Sequence, residues 1–289
     1  MRKRFSLTAF AFLFALASVQ AQNADFFDLV STGTPQRIQN AISDGADVNA
    51  PDSEGWTALM YAAKWNKNPD VIIGLLRAGA DVKARDNDDM TALMYAARWT
   101  RNPAMITTLL KAGADPKAKD ADGWTALMYA AGFNEDPEVI TMLLRAGANP
   151  KAQDKNDATP LMFAAEYNEI PEVTAALLQA GADPTVKDSD GRTPLMYAAW
   201  GNQNPELITM LLKAGADPKA RDVDGRTPLM YAAEFTQSPE VVTTLLEAGA
   251  DAKAKDSGGR TAFDYARDNN TLRSSVAYKQ LQEAMSTER

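Results

Sequence analysis

The sequence lacks the two side chains on which most nucleophilic and transition-metal chemistry in proteins depends. Its 289 residues include no cysteine and no histidine. Thiol nucleophiles, nucleophile–histidine pairs and nearly all zinc or iron sites are therefore excluded, and we expect no cofactor and no metal site. Disulfides are excluded as well, so the folded chain has to be stabilised by packing. Pairs of carboxylates remain available for acid–base chemistry.

Long apolar runs are also missing, apart from one stretch near the N-terminus. Three basic residues at positions 2–4 precede an apolar run over residues 5–17, and Val19-Gln20-Ala21 follows it. This order is typical of a secretory signal peptide, and the run is too short to span a bilayer. The alternative is a buried or membrane-anchoring first helix. We expect cleavage near Ala21, followed by residence in a bacterial periplasm or secretion.

Positive charge is scarce relative to negative charge. The formal net charge is −8, and residues 1–21 carry three positive and no negative charges, so their removal would leave −11. An exported protein this acidic is a poor candidate for binding nucleic acid or anionic lipid. We therefore expect a protein partner, with no nucleic-acid partner and no membrane span.

One seven-residue motif recurs at a fixed spacing along the chain. Residues Thr91–Ala97 read Thr-Ala-Leu-Met-Tyr-Ala-Ala, and each near-copy starts thirty-four positions after the one before it. The other copies begin at Thr57, Thr125, Thr159, Thr193, Thr227 and Thr261. A fixed period of this length indicates stacked supersecondary units rather than one or two ordinary domains.

Each unit contains the signals for a turn followed by two helices. In the unit that begins at Asp120, Asp and Gly residues form the turn, and Thr125 can cap a helix with a narrow face of small apolar residues. A capping residue followed by proline then starts a second helix, which a glycine ends. These pairs are Asn68-Pro69, Asn102-Pro103, Asp136-Pro137, Asn204-Pro205 and Ser238-Pro239. Ile170-Pro171 lacks the capping residue, so we expect that helix to start less firmly, by about 1 kcal/mol.

The motif "TPLMYAA", followed by a second helix that closes in "LLKAGADPKARD", resembles the ankyrin repeat from residue 23 to about 285. This resemblance implies an all-α-type repeat solenoid, in which helix-turn-helix units with β-hairpin-like loops stack into one elongated array. The expected organisation is a signal peptide (1–21), an N-terminal capping repeat (22–50), six ankyrin-like repeats (51–254) and a C-terminal capping repeat (255–289). In the last repeat, Val276, Leu281 and Met285 are the apolar residues of the final helix.

The repeats depart from the family pattern in two ways. Their period is one residue longer than the period usual in the family, and the extra residue falls between the two helices. The family's histidine is replaced by methionine, so we expect packing to replace any hydrogen bonding that the histidine provides. The methionines are Met60, Met94, Met128, Met162, Met196 and Met230. A column of tyrosines from Tyr61 to Tyr231 is likewise expected to pack between repeats.

The positions that differ most between copies lie eight residues after each repeat threonine and one residue before it. The resemblance implies that these positions border the concave surface with which ankyrin-like arrays grip their partners. Large amphipathic side chains there are typical of interface hot spots. The candidate partner-binding residues are Trp56, Trp65, Trp99, Trp124, Phe133, Tyr167, Arg192, Trp200, Arg226, Phe235 and Arg260. The alternative is that the longer inter-helix turn folds the rings inward as a secondary core.

We predict a groove in two parts. Its first half is aromatic, and its second half carries a ladder of arginines at 192, 226 and 260, which would suit a partner with an apolar segment next to an acidic one. The rows of lysine and arginine in the extended segments could also hold an acidic partner, although a solvated face is the commoner outcome. These rows include Lys83 and Arg85, Lys117 and Lys119, and Lys219 and Arg221.

The function most consistent with these features is non-catalytic binding of another protein by a monomer. A secreted effector that acts on host proteins is an alternative within the same class. A carboxylate-based hydrolase is disfavoured, because no unit carries an acidic cluster that the other units lack. A calcium-binding array is disfavoured too. The Asp-x-Asp-Gly runs at Asp120, Asp188 and Asp222 lack the later ligands and the closing glutamate of a calcium loop, which favours turn chemistry.

Overall fold

The computed structural model of the protein describes residues 25–286, so the predicted signal peptide (1–21) lies outside the described residues. Seventeen helices occur within this range. They are α1 (25–32), α2 (Pro35–Ser43), α3 (Ala58–Trp65), α4 (Pro69–Arg77), α5 (Ala92–Trp99), α6 (Pro103–Lys111), α7 (Ala126–Phe133), α8 (Pro137–Arg145), α9 (Pro160–Tyr167), α10 (Pro171–Gln179), α11 (Pro194–Gly201), α12 (Pro205–Lys213), α13 (Pro228–Phe235), α14 (Pro239–Glu247), α15 (Ala262–Ala266), α16 (Asn270–Arg273) and α17 (Val276–Ser286). None of the helices in residues 25–286 is both long and apolar enough to cross a bilayer.

The described residues form two compact units, which divide after Ala121. In the first unit, α3 packs against α5, while the second helices α2, α4 and α6 pack in sequence. In the second unit the first helices α7, α9, α11, α13 and α15 pack in sequence, and α8, α10, α12, α14 and α17 do the same. Consecutive helix pairs therefore stack, and the predicted all-α repeat solenoid is confirmed.

The recurring motif forms the core of each unit. In α5, the side chains of Leu93, Met94, Ala96 and Ala97 are completely buried. The alanines allow neighbouring first helices to approach closely, because their side chains add little volume between the helix axes. The wider apolar stripe of the second helices covers the other side of the core, as Ile106 and Leu109 do in α6.

The loop before six of the first helices is a tight hairpin closed by an aspartate. At Asp188 the backbone N–H donates to the carbonyl oxygen of Arg192 (3.0 Å), and Oδ1 accepts from the backbone N–H of Asp190 (2.9 Å) and of Arg192 (2.7 Å). The same closure occurs at Asp52, Asp86, Asp154, Asp222 and Asp256. The recurring aspartates therefore perform turn chemistry, as predicted, and the loops are β-hairpin-like.

The second helices begin as their sequences predict, with one exception. Asn68, Asn102, Asp136 and Asn204 each accept a hydrogen bond from the backbone of the second helical residue. Ile170 makes no such bond, in agreement with its apolar side chain. Ser238 does not cap its helix either, because its hydroxyl donates to the carboxylate of Glu240 (2.8 Å). The prediction of a Ser238 cap was therefore wrong.

One further expectation, on the methionine column, needs correction. The methionine column contributes more than packing, since the sulfur of Met94 accepts the backbone N–H of Thr91 at 3.4 Å, and Met60, Met128 and Met162 do the same in their repeats. Sulfur is a weak acceptor, so this contact only partly substitutes for a histidine. In α17 Leu281 is buried, whereas Val276 and Met285 face solvent.

Candidate functional site

In both units, large rings stand at or next to the C-terminal ends of first helices. The side chains of Trp65, Trp99, Phe133, Tyr167, Trp200 and Phe235 are 36–50% exposed. They make up six of the nine large apolar side chains that are exposed within residues 25–286. The alanines within each of these helices are buried, and the residue directly after the helix is buried as well. The ring lies between these buried positions and is left at the surface. Trp56 and Trp124, one residue before the repeat threonine, are partly buried.

In the first unit the rings form a cluster around a lysine. The ring centroid of Trp56 lies 5.3 Å from that of Trp65 and 4.3 Å from that of Tyr95. The ammonium of Lys64 lies 4.3 Å from the ring centroid of Trp65, 4.8 Å from that of Trp56 and 5.7 Å from that of Trp99. These distances are those of cation–π contacts, so the first unit joins aromatic surface to a positive charge.

In the second unit the rings contact one another. Trp124 lies 4.0 Å from Phe163 and 6.3 Å from Phe133, measured between ring centroids. Phe133 is stacked on Tyr167, with centroids 5.4 Å apart. Trp200 lies 6.1 Å from Phe235. These stacked and tilted ring contacts hold the side chains in place, while Phe133, Tyr167, Trp200 and Phe235 remain partly exposed.

The aromatic column is interrupted at Gly201 for a packing reason. A Cβ atom at this position would lie 2.7 Å from both the carbonyl oxygen and the Cγ atom of Glu166, so only glycine fits, and Trp200 carries the ring instead.

Burial raises the pKa of Glu166, and this rise is opposed by a hydrogen bond from Tyr167 and by the charge of Arg192. The side chains that shift the pKa of Glu166 are thus a phenol and a guanidinium, rather than the second carboxylate of an acid–base pair.

The three arginines before the repeat threonines are paired with acids. The pairs are Arg192 with Asp190 (3.0 Å), Arg226 with Glu234, and Arg260 with Asp256 (3.2 Å). The guanidinium of Arg226 also lies 4.2 Å from the ring centroid of Tyr231. The expected arginine ladder is therefore largely neutralised by its neighbours, because each hairpin or first helix supplies a carboxylate within reach.

A second ladder, of buried asparagines, joins the inter-helix turns and was not among the predicted residues. The side-chain N–H of Asn168 donates to the carbonyl oxygens of Ala131 (3.0 Å) and Asn134 (2.9 Å), while its Oδ1 accepts the backbone N–H of Ile170 (2.9 Å). Asn66, Asn202 and Asn269 make related bonds to the preceding repeat. The recurrence of asparagine was visible in the sequence, since Asn66, Asn168 and Asn202 lie nine residues after their repeat threonines and Asn269 lies eight after Thr261.

The tyrosine column is tied to the hairpins, and packing alone is an incomplete description of it. The hydroxyl of Tyr197 donates to Oδ2 of Asp188 (2.7 Å), and Tyr231 does the same to Asp222 (2.7 Å). Tyr61, Tyr95 and Tyr265 bond to their own hairpin aspartates. The first helix of each of these repeats is thereby fixed to the hairpin that precedes it.

This pairing predicts a loss of stability in alkaline solution. Burial raises the pKa of Tyr231 to about 12, helped by its hydrogen bond to the Asp222 carboxylate and by the charge of that carboxylate, and the pKa of Tyr61 and of Tyr265 likewise rises to about 12. An unfolded tyrosine titrates near 10, so the folded state holds the proton more tightly. The stabilisation is present below pH 10 and is lost as the pH rises toward 12.

The measurement is the urea midpoint of the wild type between pH 8 and 12. We expect the midpoint to fall above pH 10, and to fall less steeply in Tyr231→Phe, which has one fewer phenol to titrate. Parallel curves for the two proteins would contradict the assignment.

Several of the basic residues in the extended segments link consecutive repeats. One guanidinium nitrogen of Arg85 donates to the carbonyl oxygen of Lys119 (2.8 Å), and one of Arg221 to that of Lys255 (2.7 Å). The ammonium of Lys187 donates to the carbonyl oxygen of Arg221 (2.6 Å). Each of these three cations therefore connects two consecutive repeats of its own unit.

The paired helices, the aspartate-closed hairpins and the exposed rings define a repeat protein of the α-solenoid class. The family model described as ankyrin repeats (3 copies) matches residues 26–120, 88–154, 102–188, 127–222, 176–256 and 195–275. No individual curated protein matches the chain. Because the family matches extend over most of the sequence, the chain belongs to the ankyrin repeat family. Ankyrin repeats are in general modules for protein–protein interaction, and the proteins built from them are typically non-enzymatic scaffolds.

Proposed function

We propose that this chain is an exported bacterial scaffold that binds another protein, without catalysis, through the surface formed by its hairpins and the C-terminal ends of its first helices. The observation that carries the proposal is that both units expose large rings at the same structural position of their repeats, six rings in all within residues 25–286. A soluble protein gains nothing in stability by leaving so much aromatic area in water, whereas an interface gains affinity from it.

Export is the second part of the proposal, and it rests on the sequence of residues 1–21. The acidic composition is consistent with a protein partner rather than a nucleic acid. N-terminal sequencing of the protein from an envelope or culture fraction is expected to begin at Gln22. Recovery of the protein only in the cytosol, with the segment 1–21 still attached, would contradict export.

The binding surface can be tested in the host cell by site-specific photo-crosslinking of the full chain. A photoreactive phenylalanine analogue at Trp99 or Tyr167 is expected to produce a covalent adduct with a partner protein. The same analogue at Lys111 or Arg145, which are exposed on the second helices, serves as the matched control. Adducts from the control positions alone would place the partner on the opposite side of the helix pairs.

Alanine at both Trp65 and Trp99 is then expected to weaken capture of that partner at least about tenfold, because truncation of central aromatic residues typically costs more than 1 kcal/mol. The melting temperature should change little, since about half of each side chain is already in solvent. A fall in stability as large as that of a core deletion, about 3–5 kcal/mol for a buried ring, would instead indicate a secondary core.

A further inference from the structure

A cleft opens in the first unit between the C-terminal ends of α3 and α5. Its volume is about 550 Å³, within the range of ordinary ligand sites. It is lined by residues 63–67 and 99–102, which include the indoles of Trp65 and Trp99 and the inter-helix turns that follow them. Asn66, held by two hydrogen bonds to the preceding turn, forms part of the wall. The cleft is therefore built on ordered backbone.

The lining of this cleft is cationic, although the chain as a whole is acidic. Lys64, Lys67 and Arg101 line it, and no aspartate or glutamate is among the lining residues described. The net charge of the chain is −8, so the positive sign is local. Hairpins elsewhere in both units place carboxylates next to their arginines, whereas this cleft collects lysines without them.

Lys64 carries a charge that the fold leaves without a counter-ion. Its ammonium lies over the rings of Trp56 and Trp65, and it makes no ion pair within residues 25–286. Burial lowers the pKa of Lys64, and the charge of the neighbouring Arg98 lowers it further. Lys67 is exposed and also lacks an ion pair in the described part of the chain. A bound anion would relieve this repulsion, because charge attraction is strengthened where water is partly excluded.

Two classes of anionic polymer could offer negative charge together with flat or apolar groups. Single-stranded nucleic acid stacks its bases on aromatic rings, but it depends on a long basic groove that tracks its backbone, and an acidic chain repels it. An acidic peptide needs only a few cations beside an apolar pocket. The cleft is short, and its cations are clustered at one place, so the observations favour the peptide.

We propose that the cleft between Trp65 and Trp99 binds an acidic peptide segment of the partner protein, with an apolar side chain against the two indoles and a carboxylate on Lys64 and Lys67. This inference rests on the proposed function, since it assigns the chemistry of the segment that the scaffold would recognise. It places the cationic contact in the first unit rather than at the arginines 192, 226 and 260, where the sequence alone had put it.

The test is an unbiased selection of random 12-residue peptides displayed on phage against the full mature chain. We expect the selected peptides to combine two or more Asp or Glu residues with a large apolar residue. Their affinity should fall at least tenfold in Lys64→Gln/Lys67→Gln and in Trp99→Ala. The matched control is Lys83→Gln/Lys117→Gln, which removes the same charge from exposed lysines outside the cleft and should leave binding unchanged.

Several outcomes would overturn the inference. They are selection of neutral or basic peptides, no selection at all, binding that survives Lys64→Gln/Lys67→Gln, and equal loss in the control variant. Tighter, Lys64-dependent binding of a 12-residue oligodeoxythymidylate would also overturn it, in favour of nucleic acid. If a partner protein crosslinks at Trp99 but acidic peptides do not bind the chain, only this inference is contradicted. If acidic peptides bind the cleft but no protein crosslinks to the chain, the scaffold proposal is contradicted instead.

Discussion

Replacement of Asn168 by alanine is expected to destabilise the second unit by about 3–4 kcal/mol. The side chain is buried and joins two consecutive inter-helix turns through three hydrogen bonds, to Ala131, Asn134 and Ile170. A net hydrogen bond contributes about 1 kcal/mol, and each buried partner left without a bond costs about 1–3 kcal/mol. The loss should therefore exceed that of an ordinary surface substitution several-fold.

Threonine at the same position is the matched control, because two repeats already use it. The hydroxyls of Thr100 and Thr236 accept the backbone N–H two residues later (3.0 Å each), as an asparagine oxygen does. Asn168→Thr should keep that half of the interaction and cost about half as much as alanine. Urea unfolding followed by far-UV circular dichroism measures both. A cost below 1 kcal/mol for alanine, or equal costs for both variants, would show that the bonds to the preceding turn contribute little.

Removal of one tyrosine hydroxyl is expected to cost about 2–3 kcal/mol. In Tyr197→Phe, Oδ2 of the buried Asp188 would lose its only hydrogen bond donor among the described side chains. A charged acceptor left without a partner in the interior costs more than a neutral one. The fourth full repeat offers the reverse experiment, because Phe163 stands where the other first helices carry tyrosine, and Asp154 closes its hairpin without a phenol.

Phe163→Tyr should therefore stabilise the second unit by about 1 kcal/mol, since Asp154 lies nine residues before it, as Asp188 lies before Tyr197. Urea midpoints for Tyr197→Phe, Phe163→Tyr and the double variant would be compared with the wild type. Opposite and additive shifts are expected, because the two sites belong to adjacent repeats and share no hydrogen bond. Destabilisation by Phe163→Tyr would mean that the space beside Trp124, 4.0 Å away, does not admit the hydroxyl.

Much of the fold could be predicted from the sequence, because the signals are local and repeated. The Asp-Gly hairpins, the threonine caps at Thr91, Thr125 and Thr261, and the proline starts of the second helices each depend on residues within four positions of one another. Repetition at a constant period then made each assignment independent of any single copy. The error at Ser238 arose because its hydroxyl has another acceptor within reach, the carboxylate of Glu240.

The positions of the exposed rings were predictable, but the charge around them was not. The aromatic column was located by its variation between copies, and its rings lie at the ends of the first helices, as the spacing predicted. The charge of the surface was not predicted correctly, because the neighbours of a charged side chain in the fold decide whether its charge is paired. Arg226 pairs with Glu234, eight residues away, whereas Lys64 faces aromatic rings instead of an acid.

The sequence by itself determined the repeat, the turn chemistry and the family, since each follows from short-range patterns that recur. Tertiary structure alone decided which rings remain exposed, which cations are neutralised and where a cleft opens. Those properties depend on contacts between residues about one repeat apart, such as the Asn66 bond to Val30, whose geometry no local pattern specifies. Stacking of the helix pairs brings Trp65, Trp99 and Lys64 to one cleft, a juxtaposition that no single repeat specifies.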